Sequence, residues 1–466
     1  MLTIACAAMF FAVTAFLGLN VILLFDKKHV FSFPELAGLS YLVGMGAVSA
    51  ELFFMWVFRI PPRPVFVIAP FVILTGVNLK KYPALFKRLL PRTVTPPDVS
   101  ELLLMAAVAF ECAYTFFRSV IKPVEAYDAV AIWALKAKIL FLSYPTFSGF
   151  ARLVRDGFHG AHPDYPLLVP FGDVWFYIFA NSFNDTLVKV VFPLGFAAFL
   201  LVFFSLLYRA SGSRKLALVF TFMIASVKQF NDYATIGVAD LTLGIYLWLA
   251  FAYCFMWMRK KQTAYFAVSV MCALLAFWTK NEGVLAPILL SLMLGGIAFY
   301  RKAVFKSSSV RILAALALMA AAVVTWYGVK TGMHIGNDVV NTESLKKIEA
   351  KGVLLRPAAI AYEYQRQIFG FKKWNAAWIL FLAALALKPR RRGYFPGYGY
   401  VLWPVAFFLG AYTLVYMMTP QDLGWHLKST FSRLIIHLLP LAMFFSALWV
   451  NERLRDIASS KHRKHG

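Results

Sequence analysis

Several short segments of this sequence set carboxylates beside cations or imidazoles, as proton transfer and charge stabilisation require. Asp128 stands in a run from Glu125 through Trp133 to Lys136 and Lys138, directly after Pro123. His162, Pro163, Asp164, Tyr165 and Pro166 form a rigid turn that presents an imidazole and a carboxylate. Gly237-Val238-Ala239-Asp240-Leu241 opens an apolar run, shortly after Asn231-Asp232-Tyr233. Trp278-Thr279-Lys280-Asn281-Glu282-Gly283 is a tight turn of mixed charge. Near the C-terminus, Thr419-Pro420-Gln421-Asp422-Leu423-Gly424-Trp425-His426-Leu427 continues to Ser432-Arg433. His426 and Arg433 share a face if that segment is helical. The chemistry these types support is proton transfer by a carboxylate and the holding of an anionic group by cations. Asp128 is the candidate base. Asp240 and Asp164 are candidates for a second acidic position or for orienting an acceptor. Lys136, Lys138, His162, Lys280 with Glu282, His426 and Arg433 are candidates to meet an anionic group, with His426 and Arg433 favoured.

Each segment also has a plainer reading. Asp128 and Asp240 each precede a helical apolar run, where an N-terminal carboxylate caps the helix or suits its dipole. The His162 turn can be a turn without chemistry. An exposed Lys280–Glu282 pair alone contributes little.

The elements that must position these residues are membrane helices. Of the 466 residues, 61% are hydrophobic and 15% charged, with a mean hydropathy of +0.69. Soluble domains run at about 45–50% apolar and about 25% charged, so a soluble enzyme on an anchor and a disordered chain are both excluded. A hydrocarbon core about 30 Å thick needs roughly 20 apolar residues per helix. About thirteen runs qualify, near 3–25, 36–58, 64–79, 100–120, 187–208, 216–232, 240–258, 263–279, 283–300, 312–330, 374–388, 399–418 and 434–450. The fold class is therefore an all-α polytopic membrane protein. Cys6, Cys112, Cys254 and Cys272 all fall in apolar runs, without C-x-x-C spacing, and read as buried thiols.

The net charge of +25 is informative through its placement. No Lys or Arg precedes the first run, and Lys27 and Lys28 follow it, so the N-terminus is expected outside. Alternation then puts the basic clusters around Lys80–Arg92, Arg209–Lys215, Arg259–Lys261, Arg301–Arg311, Lys388–Arg392 and the tail 451–466 in the cytoplasm. This works only if the apolar segment 165–181 does not cross. Pro166, Pro170, Trp175 and Tyr177 suit a helix lying in or near the membrane surface. Residues 1–120 then form N-terminal spans, 121–186 an external loop with juxtamembrane helices, and 187–450 a membrane body with a second external loop at 331–373. All the chemistry-bearing segments fall on the external face.

No phosphate loop, dinucleotide-binding glycine motif, D-x-D pair, H-E-x-x-H or G-x-S-x-G occurs. An activated substrate is therefore expected to arrive on a lipid rather than as a soluble nucleotide.

In order, the acidic first loop, the H-P-D-Y-P segment, A-D-L, T-K-N-E-G and T-P-x-D-L-x-W-H-L…R resemble bacterial membrane glycosyltransferases of the GT-C fold. The resemblance is to the glycosyltransferase-39-like group, with protein O-mannosyltransferases and lipid A aminoarabinose transferases as relatives. It covers about residues 120–450; the first four spans match no part of it. It implies a polyprenyl-phosphate-sugar donor, an extracytoplasmic site, surface-lying helices in the first loop and inversion at the anomeric carbon. By position, Asp128 matches the first-loop carboxylate and Asp240 the second acidic position. His426 and Arg433 fall where the lipid phosphate is contacted. In this family an Asp-Glu pair is common in the first loop, whereas Ala129 follows Asp128 here.

The partners expected are the lipid-linked donor, a glycan, lipid or protein acceptor, and membrane lipids, with no nucleic acid and no required cofactor. A divalent cation held by Asp128 and Asp240 is an alternative role for Asp240; no metal site is assigned. The rival readings are a transporter or flippase for a lipid-linked saccharide, with Glu51 and Glu111 as proton relays, and a non-catalytic envelope scaffold. The hydropathy pattern shows no inverted repeat to favour the transporter. Lys346, Lys347, Lys351, Arg356, Arg366, Lys372 and Lys373 of the second loop read equally as contacts to an anionic acceptor or to anionic head groups.

Overall fold

A segment in hydrocarbon must satisfy its own backbone hydrogen bonds, and apolar runs of this length do so as helices. The computed structural model describes residues 2–89, 95–146, 148–157, 159–300, 302–336, 356–386 and 395–462, and every regular element among them is helical. Arg92, Arg301, Lys346, Lys347, Lys351, Lys388–Arg392 and Arg463–Lys464 lie outside the described residues.

Among the described residues nine helices are long and apolar enough to cross a membrane. A tenth results if Leu423–Ile436 and Leu439–Ile457, bent by 47° at the break between them, form one span. The remaining expected spans fall on shorter helices: Arg214–Ala225 of 12 residues, Thr263–Thr279 of 17 and Ala377–Ala386 of 10. Segment 165–181 gives the helix Leu168–Ala180, whose 13 residues are short for a crossing. The sequence suggested anchors at the lipid interface here. Instead Leu168–Ile178 is buried among protein neighbours, and Trp175 donates to Thr14 Oγ1 at 3.0 Å.

Burial separates a centre from a perimeter. In the most apolar stretch of Ala239–Lys260, 94% of the residues are buried, against 11% in that of Val99–Val120 and 17% in that of Pro64–Lys87, so the latter two helices present their apolar surface to lipid. The first two spans cross closely because glycines meet there. A Cβ on Gly18 would lie 1.9 Å from the Ser40 carbonyl oxygen, and one on Gly44 would lie 2.1 Å from that of Thr14.

The basic end of the bundle is tied by ion pairs. Glu35 is fully buried; Arg209 pairs with it and Tyr253 donates to it at 3.0 Å. Arg214 meets Glu101 at 2.5 Å and Lys215 meets Asp98 at 2.9 Å. The central helix Ala239–Lys260 ends at this side with Arg259 and Lys260 and begins at the other with Asp240. The two ends of the body therefore differ in chemistry.

Candidate functional site

Asp240 is the hub. Gly237, at φ +84°, turns the chain ahead of the helix, and Val238 is the N-cap, so the Asp240 carboxylate is not used in capping. It is fully buried, and three groups converge on it. Lys280 Nζ donates to Oδ1 at 3.0 Å, His437 Nε2 lies 3.3 Å from the same oxygen, and an Arg433 NH2 donates to Oδ2 at 3.1 Å. The other guanidinium nitrogen of Arg433 pairs with Asp128 Oδ2. Arg433 thus joins two carboxylates that are 112 positions apart in sequence.

Asp128 sits before the short helical turn Ala129–Ala134 and makes no capping bond there. Its side chain is 30% exposed, whereas that of Asp240 is fully buried, so Asp128 is the carboxylate of the pair that solvent reaches.

Lys280 adopts extended backbone (φ −159°, ψ 157°) between the helix Thr263–Thr279 and the turn Asn281–Val284, which aims its side chain inward. It also pairs with Glu282 Oε1 at 3.0 Å. Burial opposes its charge, but Asp240 and Glu282 outweigh burial and hold its pKa above the ordinary lysine value. The turn depends on Gly283: a Cβ there would stand 1.9 Å from the Ala276 carbonyl oxygen, which belongs to backbone and cannot swing away. Gly283→Ala is expected to displace the turn and lower stability by about 1–3 kcal/mol. Thermal unfolding in detergent checks this against Gly295→Ala, where nothing lies within 4 Å and little change is expected.

His437 is the residue that sequence reasoning missed. It stands in the break between Leu423–Ile436 and Leu439–His462, fully buried, with Nδ1 2.9 Å from the Tyr412 hydroxyl. Its spacing of four residues from Arg433 was the available signal, since such residues share a helix face. Gly244, one turn after Asp240, admits it. A Cβ at 244 would lie 3.1 Å from His437 Cα, tight enough to push the broken helix away.

Beside the hub lies an aromatic shelf. Tyr165 stacks between Trp133 (centroids 5.7 Å) and His162 (4.8 Å), and Lys280 Nζ is 5.9 Å from the Tyr165 ring. Lys136 is fully buried over Trp133 at 4.9 Å and donates to the His162 carbonyl at 3.0 Å. Burial pushes its pKa down to about 7, and the charge of nearby Asp164 resists this. Asn281 donates to Asp164 at 2.5 Å, which ties the His162 turn to the Lys280 turn.

Of the candidates from the sequence, Asp128, Asp240, Lys280, Glu282 and Arg433 therefore come together, with Lys136, His162 and Asp164 adjoining. Two do not join. Lys138 is exposed and lies 5.2 Å from the Phe183 ring, because it points away from Lys136 on their short helix. His426 hydrogen-bonds Thr419 at 2.7 Å and packs its ring against Tyr416, so it serves the loop before its own helix rather than the hub. Asp422, ahead of it, caps that helix through the Trp425 N–H. Glu111, expected as a relay candidate, accepts from Asn231 at 2.9 Å. No hydrogen bond or ion pair joins Glu111 to Glu51 among the described residues.

Among the described residues no three His, Cys, Asp or Glu side chains group as ligands for a metal ion. Asp128 and Asp240 direct oxygens at Arg433 instead.

Taken together, the apolar helices and this polar centre at one end of them define a multi-pass helical membrane protein. No protein-family model matches the chain, and no curated protein and no solved structure matches it.

Proposed function

We propose that the protein is an inverting glycosyltransferase of the GT-C type that moves a sugar from a polyprenyl-phosphate donor to a hydroxyl of an extracytoplasmic acceptor at the bacterial cytoplasmic membrane. The observation that carries this reading is the convergence of Asp128, Arg433, Asp240 and Lys280 at one end of the helical body. That arrangement supplies a solvent-reachable carboxylate beside fixed cations.

In this reading the acceptor oxygen attacks C1 of the sugar, and Asp128 takes the hydroxyl proton. The bond from C1 to the phosphate oxygen breaks with both electrons passing to oxygen, and the polyprenyl phosphate leaves as an anion. Arg433 and Lys280 stabilise that anion. Asp240 keeps both cations in place, and His437 keeps Asp240 in place. The basic loops at the opposite end suit the cytoplasmic side, which supports an extracytoplasmic site in this reading.

The test is sugar transfer from a panel of synthetic polyprenyl-phosphate sugars by purified protein in detergent, without nucleotide. Loss of a general base costs about 10²–10⁴-fold in rate, so Asp128→Asn is expected to lose donor consumption by that factor while eluting as wild type in gel filtration. Equal turnover by both proteins would remove Asp128 as the base.

A further inference from the structure

A second charged region lies at the same end of the body, on its perimeter. The short helix Phe371–Trp374 packs beside Lys228–Tyr233, and Asn375 Nδ2 donates to the Ser226 carbonyl at 3.0 Å. This gathers Lys228, Lys372 and Lys373, with Arg366 from the helix Arg356–Ile368. Lys228, Lys372 and Arg366 are exposed. Burial, and after it repulsion from Arg366 and Lys228, lowers the pKa of Lys373, while Glu363 offsets part of this; like charges have been brought together here. Glu363 is taken by Arg366 at 2.7 Å, and Asp232 by Arg118 at 2.6 Å and by Lys228. Lys372 and Lys373 make no ion pair among the described residues.

The surroundings of the patch indicate its partner. Arg118 is in the last turn of Val99–Val120, the least buried of the spanning helices and so a lipid-facing one. Through the Asp232 that it shares with Arg118, Lys228 therefore stands at the end of a lipid-exposed helix, with Lys372, Lys373 and Arg366 on the elements packed next to it. Phe369 and Phe371, 57% and 55% exposed, flank the lysines, as aromatic rings do at membrane interfaces. Surface cations at this depth attract anionic head groups. A soluble ligand would leave two phenylalanine rings in water, whereas a lipid covers them with its acyl chains.

We infer that Lys228, Lys372, Lys373 and Arg366 form a binding site for the head group of an anionic phospholipid, with its acyl chains beside Phe369, Phe371 and Val99–Val120. The inference needs only the membrane reading, so it stands whether or not the protein transfers sugar.

The full-length protein, reconstituted in nanodiscs of phosphatidylcholine with phosphatidylglycerol, is released and examined by native mass spectrometry. Wild type is expected to retain phosphatidylglycerol adducts. Lys228→Gln/Lys372→Gln/Lys373→Gln is expected to lose them about threefold or more, as removal of juxtamembrane cations predicts. The same three positions changed to Arg should retain them, which separates charge from folding, and gel filtration checks both variants. Equal retention by the Gln variant overturns the inference. Displacement of phosphatidylglycerol by a soluble phosphorylated oligosaccharide, with lysine-dependent binding of that sugar in phosphatidylcholine alone, also overturns it in favour of a soluble anion.

Discussion

Asp240→Ala is expected to destabilise the protein by about 3–5 kcal/mol, the cost of removing one partner from a buried ion-pair cluster. Arg433, Lys280 and His437 all direct polar atoms at this one carboxylate, and the Lys280 side chain is 4% exposed. With Asp240 gone, Lys280 retains Glu282 and Arg433 retains Asp128, but His437 retains only Tyr412. Asp240→Ala/Lys280→Met should recover part of the loss, because removing both partners leaves less uncompensated charge than removing one. Thermal unfolding of purified protein in detergent measures both. A single variant that melts with wild type would show that Glu282 and Asp128, not Asp240, hold these cations.

Lys136 gives the second large effect, through pH. Its pKa lies near 7 in the fold, against an ordinary lysine value of 10.5. Between those values the unfolded chain binds the proton and the folded chain does not, so stability rises with pH across that window. Below about pH 7 both states are protonated and the whole cost of burying the charge is present, of order 5 kcal/mol at 1.4 kcal/mol per pH unit. Lys136→Met removes that cost and forfeits the hydrogen bond to the His162 carbonyl, about 1 kcal/mol. The variant should therefore melt above wild type near pH 6, and this advantage should vanish or reverse near pH 10. Parallel melting of the two proteins across that range would mean that Lys136 stays charged where it is buried.

Hydropathy carries most of the helical architecture into the sequence, because a lipid-facing or core helix must be apolar over its length. Val99–Val120 and Ala239–Lys260 are both legible in this way, although one is 11% and the other 94% buried. What hydropathy lacks is which neighbour covers an apolar face; Trp175 therefore reads as an interfacial anchor yet bonds Thr14. At the site, Asp128, Asp240, Lys280 and Arg433 are legible because a charge at the edge of an apolar run needs an account. His437 is not, since residues 434–450 read as one continuous span and the 47° break that exposes its ring to Asp240 leaves no hydropathic trace. His426 misleads for the complementary reason. Periodicity puts it on the Arg433 face, but it lies two turns away, where Thr419 is nearer.

The link between Asp128 and Arg433 has a consequence for biosynthesis. The two residues are 305 positions apart, and ribosomes add about 5–20 residues per second. For roughly 15–60 s of each synthesis, Asp128 and then Asp240 are already made while the arginine that joins them is not. A nascent chain stalled in that interval carries both carboxylates at the edge of the bilayer without Arg433 or His437. The C-terminal helix pair is then the closing step of assembly, and the charge set it completes distinguishes finished molecules from unfinished ones.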